Sequence, residues 1–166
     1  MSDFDQETMT QLRLIYQDMR WLADRDHVGP KRARAWYSAV MNRTVGKKVC
    51  FFTGKVSEKA VLQRKNLVFE HFERLSSSLS QLLEKHKESN ASEDEGFNDF
   101  VNLIKKCERV NITTNKENDE IKKAEGNYEK AGVVLIDWSD IKCQNAIRAF
   151  KKKIAGGNIA NAKEFL

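Results

Sequence analysis

A chain of 166 residues with 40% hydrophobic and 32% charged residues has the composition and length of an ordinary globular domain with a single core. Its longest apolar runs, such as residues 133–136, are far too short to span a bilayer, so no membrane association is expected. Cys50, Cys107 and Cys143 are odd in number, widely spaced and never in a CxxC pair, which argues against a disulfide framework and a zinc ribbon. With no apolar signal segment in the acidic stretch 1–7, reduced thiols in the cytoplasm of a bacterial or phage-infected cell are the expectation.

In chain order, Leu12, Leu14, Ile15, Met19, Trp21 and Leu22 recur at helical spacing and predict a first helix over residues 9–23. Gly29-Pro30 punctuates the chain and opens a second helix over 31–41, with Trp36, Tyr37 and Val40 on one side. Residues 44–55 read as a β-hairpin or strand-turn element, since Val45, Val49, Phe51 and Phe52 favour strand and Gly46 and Gly54 mark turns. Ser57 is placed to cap a short helix through Gln63.

Two readings compete for the next stretch. Leu67-Val68-Phe69 is a short strand, or the series Val61, Val68, Phe72, Leu75, Leu79, Leu82 makes one near-heptad helix over 57–86. A helix from residue 72 or 73 to 87 comes after it on either reading. Residues 89–96 form a polar, acidic loop, residues 97–107 a helix and residues 110–112 a candidate strand. A charged helix over 115–126 comes next. Val133 to Ile136 is the clearest strand, and residues 140–154 form a last helix with Lys151, Lys152 and Lys153 in its final turns.

The charge is unevenly spread. Between His27 and Lys65 stand ten basic residues against the single Glu58, a local excess of nine positive charges. Such segregation is the electrostatic footprint of a protein that meets phosphates. Lys31, Arg32, Arg34, Arg43, Lys47, Lys48, Arg64 and Lys65 are the candidate phosphate contacts. Arg74 could hold a scissile phosphate bidentately or pair with Glu70, whereas His27 and His86 read as a loop residue and a solvated one.

Glu70-His71 closes the candidate strand 67–71, and Asn111-Ile112-Thr113-Thr114-Asn115-Lys116-Glu117-Asn118 carries a β-prone run into a helix. Hydrolysis of a phosphodiester needs a hard cation on the phosphate and a base for water, and an imidazole titrates near physiological pH. Adjacent residues of a regular strand point to opposite faces, so Glu70 and His71 can converge only at a strand end or a bulge.

These segments resemble the HNH, or ββα-metal, endonuclease superfamily, and Cys50-Phe51-Phe52-Thr53-Gly54-Lys55 resembles the CxxTGK turn that precedes the motif in some members. The resemblance implies His71 as general base, with Glu70 and Asn118 as ligands of a divalent cation, Mg²⁺ or Mn²⁺. DNA is the implied substrate. The pattern departs from the family in having Arg109 where many members carry an Asn, and in lacking zinc-binding Cys pairs. The 47 residues between His71 and Asn118 require a helical insertion over about 73–106.

The expected fold is therefore α+β, a mainly helical single domain with a small β element. It would have a basic helical N-terminal region over 1–45, a ββα-metal core over 46–123 holding that insertion, and a C-terminal strand-helix region over 124–166. Two other functions remain open at this point: a non-catalytic nucleic-acid-binding protein, and a helical interaction module that forms a homodimer through the near-heptad series.

Overall fold

The computed structural model describes residues 4–25, 29–71 and 75–166; for a few helical residues, Lys31 and Arg34 among them, only the backbone is described. His27, Phe72, Glu73 and Arg74, to which the sequence reading gave a loop position, a helix start and a phosphate contact, lie outside the described residues.

The elements run α1 (Gln6–Ala23), α2 (Gly29–Thr44), α3 (Gly46–Val49), β1 (Phe51–Ser57), α4 (Glu58–Gln63), β2 (Leu67–His71), α5 (Leu75–Ser89), α6 (Glu93–Cys107), β3 (Arg109–Thr114), α7 (Asn115–Lys123), β4 (Leu135–Asp137) and α8 (Gln144–Ala155), with single 3₁₀ turns at Trp138–Asp140 and Ala162–Glu164. The fold is α+β and mainly helical. Residues 67–71 are strand, so the continuous helix over 57–86 is excluded. Residues 44–49, read as β from Val45 and Val49, are instead the end of α2, a turn at Val45 and the short α3, and both valines are buried. The loop expected at 89–96 shrinks because α5 reaches Ser89 and α6 starts at Glu93, whose three first-turn acids, Glu93, Asp94 and Glu95, suit the positive end of a helix.

The chain divides into two compact units. Residues 1–49 and 74–107 make unit 1; residues 50–73 and 108–166 make unit 2. The segment expected as an insertion into a ββα core thus supplies α5 and α6 to unit 1, where they contact α1 and α2. The four helices close around Leu12, Tyr16, Met19, Leu79, Phe100 and Ile104, all fully buried. Their spacings within each helix, Leu12-Tyr16-Met19 and Phe100-Ile104, are those of one apolar stripe. His86, expected to be solvated, is 1% exposed: its Nδ1 lies 3.0 Å from the Tyr16 hydroxyl and its Nε2 3.3 Å from Asp99 Oδ2. A buried imidazole needs both nitrogens paired, and these two partners provide that.

Unit 2 is a four-stranded mixed sheet in the order β2-β3-β1-β4. β1 runs parallel to β3; β4 is antiparallel to β1, and β2 antiparallel to β3. One face carries Phe52, Val56, Val110 and Ile112 against Ala146, Phe150 and Ile154 of α8. Gly157 lets the chain beyond α8 lie on β2, since a Cβ there would overlap the Phe69 ring. The strand expected at 133–136 pairs only over Leu135–Asp137, because β1 offers it only Lys55, Val56 and Ser57. No helix among the described residues is long and apolar enough to cross a membrane.

Candidate functional sites in unit 2

β2 and β3 pair without interruption, Leu67 opposite Thr114 and His71 opposite Val110. Alternation along this regular ladder sends Leu67, Phe69 and His71 to the α8 face, where Leu67 and Phe69 pack on the core, and Val68 and Glu70 to the other. Glu70 and His71 therefore do not converge. Glu70 is 6% exposed; His71 is exposed, with Nδ1 3.9 Å from Glu108 Oε2. Asn118 is half-buried in α7, a helix that starts beside the Leu67 end of the hairpin, where the Asn115 amide donates to the Asn66 carbonyl at 2.9 Å. His71 closes the opposite end.

What Glu70 does join is a directed chain of hydrogen bonds. β1 bulges between Phe52 and Val56, and Gly54 within the bulge has φ 78°, a left-handed conformation that glycine adopts without penalty. The bulge turns Thr53 so that its hydroxyl accepts from the Lys55 amide at 3.1 Å and donates to Asn111 Oδ1 at 2.5 Å. Asn111 Nδ2 donates to the Tyr128 hydroxyl at 2.8 Å, and that hydroxyl donates to Glu70 Oε2 in a short hydrogen bond. Each donor faces the next acceptor, and the run ends on a carboxylate, the one acceptor-only group in it. Burial, then the bond to Glu70, pushes the Tyr128 phenol well above its ordinary value of 10.0. Tyr128, beyond α7 and far from any motif, is the member that sequence reasoning missed; a lone tyrosine after Gly126-Asn127 carries no periodic signal.

This geometry does not fit a cation shared by Glu70 and His71. The two side chains leave opposite faces, and one Glu70 oxygen is already engaged by the phenol. Among the described residues no group of three or more His, Cys, Asp or Glu side chains is arranged to hold a metal ion.

On the same face as Glu70 and Asn111, Thr113 is fully buried and its hydroxyl has no hydrogen-bond partner among the described residues. An orphaned buried hydroxyl costs roughly 1–3 kcal/mol. Thr113→Val, nearly isosteric and well suited to a strand, is expected to stabilise the chain by about 1 kcal/mol. A higher urea midpoint checks this, and a lower one would mean that the hydroxyl has work the fold depends on.

The basic residues divide between the units. Arg32, Arg43, Lys47 and Lys48 belong to unit 1, together with the backbone positions of Lys31 and Arg34. Lys48 is engaged by Glu7 at 2.6 Å, and in unit 2 Lys55 faces Asp137 at 3.0 Å. Arg64 and Lys65 are exposed and share a surface with two cations from the final turns of the last helix, which were not among the expected phosphate contacts. A shallow depression of about 340 Å³ in unit 2 is lined by Arg64 and Lys65 from the turn before β2 and by Lys152 and Lys153 of α8, with Leu67 and Ala149 also in the lining. No acidic residue among the described residues lines it. The turn before β2 is held in shape by two left-handed residues, Arg64 (φ 59°) and Asn66 (φ 53°), a conformation that costs a non-glycine residue about 1 kcal/mol or more. Lys153 Nζ lies 5.1 Å from the centre of the Phe69 ring, which steadies that side chain from below.

Comparison of the chain with protein-family models, with curated proteins and with solved structures finds no match.

Proposed function

We propose that this protein binds nucleic acid through the phosphate backbone, and that the Arg64–Lys65/Lys152–Lys153 groove is the principal contact. The observation that carries this reading is convergence. Lysines in the last turn of α8 would by themselves only offset the helix dipole, but here they share the lining of one groove with two cations from a separate, strained turn, and no acid among the described residues joins them. Phosphate contacts fix position and carry no sequence information, so the binding is expected to be tolerant of sequence.

Neutralising four phosphates gives a slope of log affinity against log salt of about −3 to −4 on duplex DNA. Fluorescence anisotropy with a labelled duplex is expected to return that slope, and Lys152→Glu with Lys153→Glu to reduce it by about 2. Affinity that ignores ionic strength, or a slope untouched by the double variant, would sink the proposal.

A second reading, cleavage of the bound strand by an HNH-type endonuclease, draws support from one observation. β2 and β3 are antiparallel and β3 runs directly into α7, the strand-strand-helix order of that superfamily. It requires rearrangement at Glu70-His71 when substrate binds. Incubation with plasmid DNA in Mg²⁺, Mn²⁺ or EDTA, beside His71→Ala, decides it. Metal-dependent cleavage lost in the variant supports the endonuclease; intact plasmid with salt-sensitive retention leaves the binding protein.

A further inference from the structure

A second cavity in unit 2, independent of the basic groove, has a built polar wall. It encloses about 150 Å³ and is lined by Lys59 and Gln63 of α4, the N-cap Thr114, and Lys116, Glu117 and Glu120 of α7. Glu117 is 2% exposed. Its Oε2 accepts three hydrogen bonds: from the Ser57 hydroxyl at 2.6 Å, the Thr114 hydroxyl at 2.9 Å and the Thr114 amide at 3.0 Å. Its Oε1 accepts none from the described residues, and Glu117 is itself part of the cavity lining.

The capping box explains Oε2 and leaves Oε1 over. Neither neighbouring lysine satisfies it: Lys59 and Lys116 are both exposed and line the cavity, and neither forms an ion pair with Glu117 among the described residues. Glu120 at the rim is engaged by Lys123 at 3.0 Å. The lining therefore combines a carboxylate oxygen and two lysines that have no partner among the described residues. An occupant that completes both must carry a positive donor at one end and an anion at the other. The space is comparable with a 150 Å³ cavity that holds a single benzene, so the ligand has only about six to ten heavy atoms.

We infer that this cavity binds a small zwitterion of the amino-acid class, its ammonium on Glu117 Oε1 and its carboxylate between Lys59 and Lys116. The assignment stands apart from the nucleic-acid reading, because it uses neither Arg64–Lys65 nor Lys152–Lys153.

Amide chemical shifts of the full chain are to be followed by NMR during titration with β-alanine and glycine, and with methylammonium and acetate as single-charge controls. The expected result is saturable movement of the Thr114, Lys116, Glu117 and Glu120 amides with a zwitterion at millimolar concentration. Lys59→Ala with Lys116→Ala should weaken this by about tenfold. Glu117→Gln should abolish it; should that variant misfold, the exposed lysine pair carries the test alone. No saturable movement, equal response to methylammonium or acetate alone, or unchanged affinity in the lysine variant would overturn the assignment.

Discussion

Gly96→Ala is expected to lower the stability of unit 1 by about 3 kcal/mol or more, although alanine normally improves a helix interior. Gly96 lies in the first turns of α6, and a Cβ there would overlap the Tyr16 hydroxyl, stand 2.9 Å from Tyr16 Cζ and meet His86 Nδ1 at 3.2 Å. Tyr16 cannot yield cheaply. It is fully buried, stacked on Phe100 at 5.5 Å, and bonded to His86, which is itself held by Asp99. Moving the phenol breaks that bond and leaves two buried polar groups short of a partner, on top of the overpacking cost. For a chain of this size the melting temperature should fall by roughly 10 °C. A variant melting at or above the parent's temperature would show that the α1–α6 contact is looser than these distances allow.

Tyr128→Phe should cost about 1–3 kcal/mol at neutral pH, because Glu70 loses the phenol as donor and the Asn111 amide loses its acceptor. The same variant should alter the alkaline limb of the stability curve. Burial raises the Tyr128 phenol above 10.0 in the folded chain. A group whose folded value is raised contributes in full below the unfolded value and loses that contribution as pH climbs toward the folded one. The parent should therefore lose stability above pH 10 more steeply than Tyr128→Phe, and the two curves should converge there. Tyr16, also raised by burial, is present in both proteins and cancels from the comparison. Urea midpoints across neutral and alkaline pH measure this; parallel curves would remove Tyr128 from the alkaline transition.

The amphipathic helices were legible because their stripes are long. Leu12 to Ala23 and Phe97 to Cys107 each show several turns of 3.6-residue period, and Ser57 caps α4 through the Ala60 amide as its residue type predicts. The short strands at 67–71 and 110–112 were also within reach, but the stretch at 44–49 was not. Residues 44–49 join the end of α2 to α3 because Val45 and Val49 are wanted inside unit 1, a tertiary demand that overrides their strand preference. The helix-or-strand ambiguity at Leu67 is resolved by left-handed backbone at Arg64 and Asn66, and no glycine marks that turn. The Glu70-His71 pair was visible, but its geometry depends on a regular register with β3, set by residues far along the chain. Likewise the groove needs Lys152 and Lys153 beside Arg64, and the relay needs Tyr128 beside Glu70; neither meeting leaves a local trace.

β1 lies between two strands that both come later in the chain, β3 from Arg109 and β4 from Leu135. A ribosome delivering residues in order releases Phe51, Phe52 and Val56 with neither neighbour made, and after α4 and β2 it makes α5 and α6, which belong to the other unit, before β3 appears. Until Asp137 has emerged, the nascent chain carries an apolar strand with an open edge, the kind of segment that pairs with its neighbours on a polysome. Translation speed between Ser57 and Asp137 thus becomes a determinant of soluble yield, and products truncated in that interval are the ones expected to aggregate.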